Sequence, residues 1–180
     1  AANCAEAAKA KGVRSEVKFF GENTAFELSA KYGKADLLLG NNVLAHVPDI
    51  NDFVSGMKEM LNTGGVITME FPHLQRLIEE NQFDTIYHEH FSYLSFVAVN
   101  RIFAHHGITL FDVEELPTHG GSLRIFGKHA DDTSKNITER VHELLKREIE
   151  LGFETLEDYS VFDEKVKETK RKILDFLIKA

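Results

Sequence analysis

The chain has 180 residues, 43% of them hydrophobic and 28% charged, with a formal net charge of −8. That composition suits one soluble domain with a sizeable core, and the acidic balance argues against a nucleic-acid backbone as partner. No apolar run approaches the roughly 20 residues of a membrane span, and the single cysteine, Cys4, excludes an intrachain disulfide and fits a reducing, cytoplasmic compartment.

In chain order, residues 2–10 are alanine-rich and helical by propensity, with Gly12 as a stop. VKFF (17–20) reads as a short strand. Asn23 is placed to cap a helix through AFELSAKY that Gly33 ends. ADLLLGNN (35–42) is a continuous apolar run closing on two asparagines, the pattern of a buried parallel strand with a polar carboxyl end. Pro48 and Asp49 open a helix with Ile50, Phe53, Val54, Met57, Met60 and Leu61 on one face, ended by Gly64-Gly65. GVITMEF (65–71) is a second buried strand, closed by Pro72.

After a long connection, a helix is expected from Ser95 to His106, where the histidine pair 105–106 ends it. ITLFDVEEL (108–116) and SLRIFGKH (122–129) read as strands joined by PTHGG. Thr133 or Ser134 is expected to cap a helix carrying Ile137, Val141, Leu144, Leu145 and Ile149, interrupted at Gly152. A last helix carries Phe162, Val166, Ile173, Phe176 and Leu177, and the mixed charges of 139–172 read as a solvated face. Alternating helices and strands predict an α/β fold with a parallel sheet, and the adjacent final strands predict one antiparallel strand at its edge. Ligands of such sheets sit at the strands' carboxyl ends, here Phe20-Gly21-Glu22, Asn41-Asn42 and Glu70-Phe71-Pro72-His73. Both termini fall within helix-like runs, so the chain reads as a fragment.

Within the long connection stands FDTIYHEHFSYLS (83–95). Histidine is the natural proton acceptor near neutral pH, a carboxylate can fix its tautomer, and a tyrosine hydroxyl can hold an oxyanion. Those residue types suit proton abstraction beside a carbonyl, with Tyr87, His88, Glu89 and His90 as the candidates. A polar loop is the competing reading, although its apolar flanks make idle polarity costly. A metal site for a hydrolase or oxygenase is the third, with His88 and His90 needing a ligand from His46, His73 or His119. His46 follows the first central strand and suits either a packing role or a second proton-transfer role. In THGGSLR (118–124) the glycines allow a tight turn whose N–H groups can meet an anion, Arg124 can pair with phosphate, and a plain hairpin turn explains the glycines equally.

Taken in order, NNVLAHVPDINDF, GGVITMEFPHLQRLIEENQFDTIYHEHFSYLS and THGGSLR resemble the nucleotide-sugar C-methyltransferases, class I S-adenosylmethionine-dependent enzymes. The resemblance implies a Rossmann-like sheet with its last strand antiparallel, and a 4-keto nucleotide sugar whose enolate takes up the methyl group. It implies His90 as base, Tyr87 and Glu89 as its assistants, and His46 as a second active-site histidine. Asn41 and Asn42 then lie beside the cofactor, Phe20 and Gly21 near its adenine, and His119, Gly120, Gly121, Ser122 and Arg124 against the substrate. The family's zinc-binding domain and first cofactor-binding strands have no counterpart here, so residues 1–130 are expected to be a partial catalytic domain and 131–180 a helical linker into a truncated C-terminal domain. Such a piece is expected to bind the cofactor poorly by itself. A methyltransferase fold without catalysis, acting as a binding module, is the remaining alternative.

Overall fold

The computed structural model describes residues 2–179, without the side chain of Asp158. Helix α1 (Ala2–Ala10) buries no residue, and α2 (Glu22–Tyr32) ends at Gly33, whose φ of 83° suits glycine. Strand β1 (Ala35–Asn41) leads through a 3-10 turn, Leu44–His46, into α3 (Ile50–Met60). Asp49 caps α3, accepting from the Asn51 and Asp52 N–H groups. Strand β2 (Leu61–Pro72), the short α4 (Leu74–Glu79) and α5 (Phe96–His105) follow, with Ser95 capping α5 through the Ala98 N–H. Strands β3 (Ile108–Leu116) and β4 (Ser122–His129) precede α6 (Glu139–Glu150) and α7 (Leu156–Lys179).

The four strands form one sheet in the order β1-β2-β4-β3. β1 and β2 are parallel, while β4 is antiparallel to both of its neighbours. The antiparallel strand is therefore interior and β3 forms the edge, a correction to the expected edge position. A short turn lets β4 return beside β3, and its other side then completes the ladder of β2. Val54, Ile67, Met69, Phe71, Phe96, Val99, Phe103, Leu123 and Ile125 are at most 1% exposed and make the core between the sheet and helices α3 and α5. Each such side chain contributes about 1.5–3 kcal/mol of burial.

Several local expectations change for physical reasons. VKFF joins no ladder, because no described strand runs beside it. Gly21 rather than Asn23 precedes α2, and Asp52 of α3 accepts from the Glu22 N–H, so the cap arrives from another helix. β1 is not buried: Leu37 and Leu39 are 58% and 66% exposed, since among the described residues β1 pairs with β2 alone. Helix α3 stops at Met60, before the glycine pair, because Leu61 already pairs with Ala35. Neither Thr133 nor Ser134 caps α6, which Thr138 precedes; Asp132 instead accepts from the Ser134 N–H in the turn before it. On α7, Phe162 and Val166 are half-buried, but Ile173, Phe176 and Leu177 are exposed.

Candidate active site

The carboxyl ends of β1 and β2 and the β3–β4 turn meet at one end of the sheet, because Pro72 and Leu116 both pair with Ser122. Beyond β1, Asn42 takes φ 53° and donates its N–H to the Glu70 carbonyl at 2.8 Å, turning the chain out of the sheet. Leu44 and Ala45 are buried in the 3-10 turn, which fixes His46 at its end. The 87–93 loop lies on that turn, with the Phe91 and Ser92 N–H groups both donating to the Ala45 carbonyl, at 2.9 and 3.2 Å.

Two histidines are pinned from behind by carbonyls. His46 Nδ1 contacts the Glu89 carbonyl at 2.9 Å and His90 Nδ1 the Thr85 carbonyl at 3.1 Å. A carbonyl only accepts, so both rings donate from Nδ1, and in the neutral tautomer each keeps its lone pair on Nε2. Neither Nε2 has a partner among the described residues. The two rings lie 4.7 Å apart, with Tyr87 4.4 Å from His90 and Tyr93 edge-on to it at 5.5 Å. The Tyr93 hydroxyl accepts from the Tyr87 N–H at 3.2 Å, holding the tyrosine's backbone. These rings, with Asn42, His73 and His119, line a cavity of about 160 Å³.

Of the residues singled out by sequence, His46, Tyr87 and His90 thus converge. Glu89 acts through its carbonyl, while its exposed carboxylate makes no hydrogen bond among the described residues. Asn42 is in the cavity wall, whereas Asn41 is exposed at the strand end. Phe20 packs edge-on against Phe53 at 5.3 Å and Gly21 is buried against Asp52, so this pair sits on α3 outside the cavity wall. His119, at φ 53°, reaches the cavity, while Gly120, Gly121 and Ser122 line an adjoining recess of about 540 Å³ that shares His73.

Arg124 is held by two carboxylates. It stands directly across from Glu70 on β2 and Glu114 on β3 and pairs with them at 2.8 and 3.6 Å. Glu70, 5% exposed, also accepts from the Thr118 hydroxyl at 3.0 Å, so its buried charge is satisfied and the 117–121 turn is tied to the sheet. His88 is exposed and outside the cavity wall, and no group of three His, Cys, Asp or Glu among the described residues is placed to hold a metal ion.

Does the site suit S-adenosylmethionine? Asn42 Oδ1 is buried with no hydrogen-bond partner among the described residues. An orphaned buried acceptor is costly unless a ligand completes it, and the cofactor carries an ammonium and an amine that can donate. Asn42 thus fits the cofactor's donor chemistry.

The buried partner of His73 escaped the sequence reading. Glu148, expected on a solvated face, is fully buried, and it accepts from His73 Nε2–H at 2.7 Å. Its two oxygens also accept the Phe96 and Val97 N–H groups at 3.0 and 2.7 Å. The readable signal was its position: seven residues after Val141 and four after Leu144, it falls on the apolar stripe of α6.

Residues 3–113 match the family model described as a methyltransferase domain, and residues 117–180 match that of the C-methyltransferase C-terminal domain. The C-methyltransferase NovU of Streptomyces niveus is 34% identical over 162 residues, which are 90% of this chain and 38% of that protein. The chain thus spans well under half the length of this relative. Among solved structures, a possible histamine N-methyltransferase from Thermotoga maritima superposes with a TM-score of 0.50 at 16% identity, covering 71% of this chain and 69% of that one. That likeness concerns the fold.

Proposed function

The chain belongs to the class I methyltransferases, and on that premise we propose that it carries the proton-abstracting centre of an S-adenosylmethionine-dependent C-methyltransferase acting on a nucleotide-linked keto-deoxysugar. One observation carries this reading: two histidines with Nδ1 donated to carbonyls and Nε2 open, packed with Tyr87 around a single cavity at the strands' carboxyl ends. Methyl transfer to the carbon beside a keto group needs an enolate, hence a base that removes that carbon's proton.

His90 Nε2 takes the proton from the carbon next to the keto group, and the Thr85 carbonyl stabilises the resulting imidazolium through Nδ1–H. The Tyr87 hydroxyl donates to the developing enolate oxygen, where a preorganised donor lowers the barrier most. His46, tied to the Glu89 carbonyl, sits close enough to receive or return the proton. Asn42 Oδ1 would accept from a donor group of the bound cofactor. When bound, S-adenosylmethionine would supply the methyl group to the enolate carbon, its S–CH3 bond breaking to leave S-adenosylhomocysteine. His119 and the Gly120–Ser122 recess face the sugar nucleotide.

The test is methyl transfer from labelled S-adenosylmethionine to a 4-keto deoxysugar nucleotide by the full-length protein. The product should carry the methyl on carbon adjacent to the keto group. Label on oxygen or nitrogen, or no transfer to any keto sugar nucleotide, would refute the proposal.

A further inference from the structure

The segment that bears Tyr87 and His90 is a long excursion between β2 and α5, with only α4 and one 3-10 turn of its own. Such a loop holds a catalytic geometry only if its two ends are fixed. Its incoming end is His73, directly after β2, and its outgoing end is the first turn of α5. Backbone pairing brings the ends together: His73 bridges Leu94, and the Leu74 N–H donates to the Leu94 carbonyl at 3.1 Å.

Glu148 lies behind that junction. Its carboxylate holds the incoming end through His73 Nε2–H and the outgoing end through the Phe96 and Val97 N–H groups. All three donors are directional, and the carboxylate is fully buried, so water cannot replace them cheaply. The negative charge also faces the positive N-terminal end of α5. Glu148 belongs to α6, within the region matched to the C-terminal domain family, whereas both loop ends belong to the methyltransferase-domain region.

We infer that Glu148 is a positioning residue for catalysis, a buried carboxylate that closes the base of the 74–95 loop and so holds His90 and Tyr87 over the cavity. It touches no reacting atom and acts through His73 and the first turn of α5. The inference rests on the proposed role of His90, but its structural half can be read without substrate.

The experiment is Glu148→Gln in the full-length protein, read by amide hydrogen exchange and by kinetics. An amide places a donor where the carboxylate accepts an N–H, so the clamp loosens while the side chain's shape is kept. Amides of residues 86–93 should exchange about tenfold faster, with those of β2 and β4 unchanged. In the methyl-transfer assay kcat should fall about tenfold or more with KM held within about twofold, the split expected when orientation, not binding, is lost. Should Glu148→Gln fail to fold, His73→Leu removes the incoming-end donor while the carboxylate keeps both α5 N–H groups, and because His73 also lines the cavity this variant is read by the exchange test alone. Unaltered exchange across 86–93 would overturn the inference, as would loss confined to KM. A wild-type protein inactive on every keto sugar nucleotide would sink the functional reading instead, with the exchange result still deciding whether Glu148 closes the loop.

Discussion

Gly56→Ala is a severe test of how α2 and α3 pack. A Cβ at Gly56 would lie 2.7 Å from the Gly21 carbonyl carbon, 2.8 Å from its oxygen and 3.1 Å from the Glu22 nitrogen. Carbon contacts are comfortable near about 3.5–4.0 Å, so the overlap approaches about 1 Å. Every atom met is backbone, so no rotamer change relieves the clash and one helix must shift. Overpacking of this kind costs about 1–3 kcal/mol, here towards the upper end, while alanine returns about 1 kcal/mol of helix propensity. The net loss of about 2 kcal/mol corresponds to a fall in unfolding temperature of about 4–8 °C for a chain of this size. Circular dichroism melts of wild type and variant measure it. A variant melting at or above the wild-type temperature would refute the reasoning, since helix propensity would then outweigh a contact that is not tight.

Two further changes separate the site from its scaffold. Asn42→Gly keeps the left-handed backbone at φ 53° and removes the orphaned acceptor, so the full-length protein's S-adenosylmethionine affinity by titration calorimetry should fall about tenfold while its unfolding temperature is nearly unchanged. Asp112 anchors α6 to β3: burial raises its carboxyl pKa, but hydrogen bonds from Arg140, Thr138 and the Val113 N–H outweigh that and hold it below the usual 3.8. A depressed carboxyl stabilises the fold above its unfolded pKa and loses that contribution as pH falls through its folded value. Urea melts should therefore show Asp112→Asn about 1–2 kcal/mol less stable than wild type near pH 7, with the gap closing below about pH 4.

What could be read from the sequence was whatever local periodicity and punctuation encode. Helix α5 begins after Ser95, where a side-chain cap and an apolar stripe coincide, and β3 and β4 run over the expected residues. Two of the cavity histidines were legible because His46 follows a strand end and His90 falls in a dense YHEH string. Pairings between distant residues were not. Asp52 caps α2 from 30 residues away, and β4's place between β2 and β3 depends on partners rather than on its own pattern. Glu148 looked like any solvated helix glutamate, because His73 and the α5 N–H groups that justify its burial lie 51 or more residues away in sequence. Nor did the sequence show that the register sets Arg124 between Glu70 and Glu114.

The proton abstraction assigned to His90 can be watched without methyl transfer. With S-adenosylhomocysteine bound, the full-length protein in D2O should exchange the hydrogen on the carbon beside the keto group of its sugar nucleotide. His90→Gln should slow that exchange by about 10²–10⁴-fold while S-adenosylhomocysteine affinity stays within about twofold. Exchange by His90→Gln within about threefold of wild type would contradict the account, because the base would then be another group.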